Sequence, residues 1–205
     1  MRMFVSSTVA MMLLVLLVPG IQSMAQVIPV EWGQVLLDTQ DLDTLEGQLI
    51  KATALVNLGE LGTAFDQIEE IRQKENYLEF AEQMQVKYQA FLQQDPQNLL
   101  SLNVLGLVEW ALADYVQAGN HFRRIIELEP KNVWIRLFLG ITLWNQGETQ
   151  VALTELKAAH ELDKTNQYAH CLLSAAYFEL NDYMRAVYHY LKCPDVRKEM
   201  SRRGF

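Results

Sequence analysis

The chain has 205 residues, half of them apolar, with only five prolines and ten glycines. That is enough for one compact domain with a continuous core, and too apolar for a disordered tail. Its formal net charge of −8 argues against broad nucleic-acid binding, because a phosphate-binding surface needs clustered Lys and Arg to displace counterions.

The first element in chain order is a leader. Arg2 gives a positive start, Val9 to Val18 form an uncharged apolar run, and Pro19-Gly20 break it. Ser23-Met24-Ala25 then place small residues at the −3 and −1 positions of a cleavage site, which is the order of a secretory signal peptide over 1–25. The run is shorter than the roughly 20 residues that span a bilayer. We therefore expect export to a periplasm or the exterior without stable membrane insertion; an uncleaved N-terminal membrane anchor is the competing reading. No cysteine lies near the break, so a lipid anchor is not indicated.

Residues 26–44 contain Pro29, Trp32 and Gly33 and read as irregular or only briefly helical. Over 45–78 a helical hairpin is expected. Ala52 and Ala64 lie twelve residues apart, Leu58-Gly59-Glu60 supplies a turn, and Asp43 and Glu46 have capping-box spacing. Residues 79–98 read as one extra helix with Phe80, Met84, Tyr88 and Phe91 on its apolar side. Because no Gly or Pro stands between Gly62 and Pro96, 61–94 forms either one long helix or two.

From residue 99 a 34-residue period governs the chain. Leu128-Glu129-Pro130-Lys131-Asn132 recurs as Leu162-Asp163-Lys164-Thr165-Asn166, and Asp95-Pro96-Gln97-Asn98 precedes it by one period. Four further columns share the register: Leu105, Leu139, Leu173; Gly106, Gly140, Ser174; Ala118, Ala152, Ala186; and Phe122, Leu156, Tyr190. A small residue on one helix opposite an alanine on the next lets two antiparallel backbones approach. Each pair then carries an apolar face that only stacking on its neighbours can bury. The turns fall at Asn145-Gln146-Gly147-Glu148 and Asn181-Asp182.

With Leu105-Gly106 and Leu139-Gly140, an alanine twelve residues on, and a closing Pro130, the chain resembles the tetratricopeptide repeat family. The resemblance covers about half the chain strongly and implies an all-α solenoid of helical hairpins. Repeats fall at 99–132, 133–166 and 167–198, with an earlier one at 45–78, an inserted helix at 79–98, and a solvated basic tail at 199–205. The tail's arginines, with Arg197 and Lys198 before them, are offset by Asp195 and Glu199.

In that family the first helix of each repeat lines a concave groove. The resemblance assigns to it Leu100, Asn103, Leu107, Trp110 and Ala111; then Trp134, Leu137, Ile141, Trp144 and Asn145; then Tyr168, Cys171, Ala175, Phe178 and Glu179. Trp110, Trp144 and Phe178 share one position and Trp134 and Tyr168 another, so two aromatic ladders would run along the groove. Flat side chains give much interface energy for little lost entropy. The competing reading places these rings in the core, against the inserted helix or the N-terminal segment. Family members that clamp an acidic chaperone tail carry Lys, Arg and Asn at these positions, where this chain has mostly Leu, Ile, Trp and Ala; a carboxylate clamp is not expected.

The sequence has no glycine-rich phosphate loop, nucleophile elbow or zinc-protease helix. No enzyme, catalytic residue, cofactor or metal is assigned, and His121 and His160 are read as isolated. His170 and Cys171 in the last repeat face His189 and Cys193 across a turn. The cysteines are two buried thiols, a disulfide or part of a zinc site. The expected function is an exported scaffold that binds a protein or peptide with apolar anchors. A chaperone for a hydrophobic exported segment, or a self-associating homo-oligomer, are the alternatives.

Overall fold

The computed structural model describes residues 30–39 and 41–202. The expected signal peptide and cleavage site lie outside them. The described residues form eleven helices and no strand: α1 Trp32–Thr39, α2 Leu45–Leu58, α3 Leu61–Arg72, α4 Tyr77–Gln94, α5 Leu99–Ala111, α6 Tyr115–Leu128, α7 Val133–Asn145, α8 Thr149–Leu162, α9 Gln167–Glu179, α10 Tyr183–Leu191 and α11 Pro194–Arg202. The fold is all-α, a solenoid of tetratricopeptide-like hairpins with one additional helix.

Local chemistry sets the boundaries at the sequence period. Asn98, Asn132 and Asn166 cap α5, α7 and α9, each side chain accepting from the backbone N–H three residues on. Asp114 and Asp182 do the same for α6 and α10. Each first helix ends in a Schellman turn. Asp114, Glu148 and Asp182 donate their N–H groups to the carbonyls of Glu109, Leu143 and Tyr177. That turn puts a left-handed residue at Ala113 (φ 62°), Gly147 (φ 81°) and Asn181 (φ 61°). The α2–α3 turn repeats it at Gly59 (φ 85°). At the start of α2 the cap is Thr44, whose hydroxyl accepts from the N–H of Gly47, and not the expected Asp43.

Inside each hairpin the small column fits a facing large one. A Cβ added to Gly106 would meet the Phe122 ring at 2.6 Å, and one added to Gly140 would meet Leu156 at 2.5 Å. In the third repeat the pattern changes. The Ser174 hydroxyl donates to the carbonyl of Ala186 at 2.8 Å, and Tyr190, 51% exposed, leaves the core.

Residues 61–94 form two helices, broken at 73–76, rather than one. The inserted helix α4 packs on α5 with Phe80, Ala81, Met84 and Tyr88 buried, in the position that the second helix of a preceding repeat would take. Phe91, expected on that side, is 42% exposed. Burial and the hydrogen bond to the Glu46 carboxylate (2.8 Å) both push the Tyr88 hydroxyl's pKa upward, and Lys87 meets the same carboxylate at 2.7 Å. These contacts tie α4 to the start of α2.

The C-terminal segment also differs from expectation. Pro194 opens a helix as its first residue, where a missing N–H costs nothing. The helix α11 packs on α9: Asp195 and Gln167 exchange two hydrogen bonds, and the Tyr168 hydroxyl donates to Glu199 at 3.0 Å. The Arg197 guanidinium lies 3.8 Å from the Tyr190 ring centre. Much of the expected tail is thus a cap on the solenoid end.

Candidate protein-binding face

The first helices α5, α7 and α9 supply the expected groove, and the N-terminal hairpin occupies part of it. Helix α2 packs on both α5 and α7. The Asn57 amide donates to the Asn103 side chain at 2.8 Å and accepts from the Asn132 amide at 3.0 Å. One residue thereby spans the first helix of one repeat and the cap of the next. Gly59 lies directly under the Trp134 indole, where a Cβ would clash. From α3, Phe65 stacks on Phe138 with ring centres 5.7 Å apart and tilts against Trp110 at 5.8 Å. The buried residues Ala52, Leu55, Val56, Leu61, Ala64 and Ile68 of this hairpin join one core with Leu102, Leu107, Phe122, Ile135 and Phe138.

The residues expected to line the groove therefore divide. Asn103, Leu107 and Leu137 are fully buried. Leu100 is half-buried and packs with the α4 side of the core. Trp110 and Trp134 are half-buried beneath the hairpin, so these two rings follow the core reading. Tyr168 meets Trp134 edge-on at 6.1 Å and is engaged by α11. Ile141 is half-buried, Trp144 is half-buried against the same core as Trp110 and Trp134, and Phe178 is 65% exposed against Tyr183. Ala175 and Glu179 are exposed beside Phe178. Exposure on these positions thus rises towards α9.

Helix α10, the second helix of the last hairpin, also carries exposed apolar residues: Met184 is 85% exposed, Leu191 65% and Val187 57%.

Cys171 and Cys193 are joined by a disulfide, with Cα atoms 5.6 Å apart. It clips the start of α9 to the end of α10. His121 and His160 are not isolated. The Nδ1 of His121 lies 2.7 Å from the buried carboxylate of Glu109, across the α5–α6 hairpin. His160 meets His170 and His189 with ring centres 4.6 and 5.5 Å apart. Both contacts join residues on different helices, which spacing within one helix does not reveal.

Capped hairpins, a 34-residue register and an inner face lined by first helices define a tetratricopeptide-like solenoid. Its solved likenesses include MamA 41-end from Desulfovibrio magneticus RS-1, 15% identical with a TM-score of 0.50, covering 82% of this chain and 86% of that one. MamA AMB-1 is 20% identical with a TM-score of 0.49, covering 82% and 83%. At such identity the likeness bears on fold alone. No protein-family model and no curated protein sequence matches the chain.

Proposed function

We propose that this protein is an exported scaffold that holds a polypeptide partner by apolar anchors at the α7–α9 end of its inner face. The observation that carries this reading is the contrast along one aromatic ladder. Trp110 lies beneath the protein's own hairpin, Trp144 is half-buried, and Phe178 is 65% exposed. An exposed ring beside exposed Ala175, with further exposed apolar residues on α10, gives this end of the chain apolar surface that a partner can cover. Aromatic anchors of this type carry most of the energy at protein interfaces. The inner face already accepts helical backbone in cis through α2, which supports a helix or an extended segment as the ligand.

Two observations support export. The leader has the order of a signal peptide, and the Cys171–Cys193 disulfide suits an oxidising compartment. Among the described residues no helix is long and apolar enough to cross a membrane.

The test is copurification from the native host with Phe178→Ala and Trp144→Ala variants. A partner held at this face is lost or depleted at least about tenfold, as removing a central aromatic anchor predicts. Unchanged recovery with both variants would overturn the proposed site. A Val86→Ala variant, on the exposed side of α4, should leave recovery unchanged.

A further inference from the structure

Where the last two repeats meet, three histidines converge from three helices: His160 in the last turn of α8, His170 near the start of α9 and His189 near the end of α10. Their ring centres are 4.6, 5.0 and 5.5 Å apart; His170 and His189 are buried and His160 is half-buried. The His170 Nε2 lies 3.1 Å from the carbonyl of Lys164, which only accepts, so that nitrogen carries the proton. The His170 Nδ1 is then a lone pair, and the His189 Nδ1–H donates into it at 2.8 Å. This chain of bonds is complete with both rings neutral. One added proton buries a charge on the pair, and a second would set two donors head-on.

The surroundings offer that charge little relief. Tyr177 of α9 stacks on the His189 ring at 5.6 Å, and Tyr188 meets it edge-on at 5.1 Å. Lys157 of α8 and Arg185 of α10 approach the Tyr177 ring at 5.7 and 5.2 Å, and the positive charge of Lys192 opposes protonation of His170. The nearby carboxylates are engaged elsewhere: Glu161 by Lys164, Asp182 by Arg185, Asp195 by Gln167 and Glu199 by Tyr168. Immediately beside the cluster, the Cys171–Cys193 disulfide ties α9 to α10.

We propose that the histidine cluster is an acid-sensitive latch on the last hairpin: in mildly acidic solution α10 separates from α9 along the three rings, while the Cys171–Cys193 disulfide keeps it tethered for reclosure. Burial above all, and then the two neighbouring rings, pull the His189 pKa down to about 4; burial also holds His170 below the ordinary value. An opened hairpin releases its histidines to about 6.5. Between those values the open form binds protons that the closed form refuses. Closure is therefore fully stabilised above about pH 6.5 and weakens as pH falls towards 4.

The test is hydrogen exchange of the oxidised, leader-free chain, read on the α10 peptide between pH 7 and pH 4.5 and corrected for intrinsic exchange. The latch predicts that opening of α10 rises at least about tenfold over that range while α7 changes little. The His189→Asn variant keeps a donor near the Nδ1 position without titrating, and should flatten the profile. Should that variant fail to fold, His160→Gln decides, with a shallower profile and unchanged protection at pH 7. Parallel pH profiles in the wild type and the folded variants would overturn the latch. So would Zn2+ at pH 7 protecting α10 in the wild type and not in a folded variant, which would make the cluster a metal site.

Discussion

At the scale of single residues, the small column shows how one period serves different contacts. Gly106 and Gly140 occupy the same place, yet an added methyl would meet a rigid ring in one case and the branched carbons of a leucine in the other. The Phe122 ring is fully buried and packed against Phe138, 5.9 Å away, so it has no room to yield. Gly106→Ala should therefore cost about 2 kcal/mol from overpacking, even after the helix-propensity gain of up to about 1 kcal/mol that alanine brings. Gly140→Ala should cost less, about 1 kcal/mol, because Leu156 is also fully buried but an aliphatic side chain can turn where a ring cannot. Urea unfolding of the two variants side by side checks the order; a Gly140→Ala loss equal to or larger than the Gly106→Ala loss would contradict it. Gly59 is constrained twice, by its left-handed φ and by the indole of Trp134 above it. That second constraint lies 75 residues away in sequence and has no local signature.

At the scale of helices, the caps follow the sequence closely, and one is incomplete. Asp114 and Asp182 cap α6 and α10 through their side chains, whereas Glu148, in the same place before α8, makes no side-chain cap bond. Its extra methylene carries the carboxylate past the N–H groups that the shorter side chain reaches. Glu148→Asp should supply the missing bond and raise stability by about 0.5–1 kcal/mol, seen as a higher midpoint in thermal unfolding. An unchanged or lower midpoint would show that α8 gains nothing from the cap.

Helix existence and the turns at Gly59, Gly147 and Asn181 were legible, because each depends on residues within a few positions of one another. The one cap named from sequence, Asp43, fell one residue short of Thr44. The placement of α2 was not legible, although a signal existed. Ala52 to Val56 are five consecutive buried residues, and Ser101 to Glu109 in α5 are nine. A helix apolar around its whole circumference must be covered on every side. Stacking of repeats covers only part of α5 and α7, so another element had to lie on their inner side. Helix α9 has no such closed pattern: Ala175, Phe178 and Glu179 are exposed, and the hairpin's contacts fall on α5 and α7. In sequence Ala175 and Phe178 are apolar too, so this signal alone does not tell the covered part of the groove from the open part. Tetratricopeptide register alone assigns a residue to the inner face without saying what lies against it.

At the scale of the molecule, the chain is a solenoid whose first half is closed by its own N-terminal hairpin and whose end is capped by α11. The disulfide sits in the last hairpin, as do two of the three histidines, His170 and His189, and this hairpin carries many exposed apolar residues. The proposed partner surface and the proposed latch thus fall at one end of the solenoid, and the hairpin that covers part of the inner face at the other. The measurement that tests the central claim most directly is site-specific photocrosslinking in the native host. The reactive residue is placed in turn at Phe178, at Trp144, at Phe65 on the hairpin's inner side and at the exposed outer position Thr154. The account predicts a discrete protein adduct from Phe178 and Trp144, and no intermolecular adduct from Phe65 or Thr154. Adducts from Phe65, or equal labelling at Thr154, would contradict it: the first means that the hairpin leaves the groove to admit the partner, the second that the inner face is not where the partner binds.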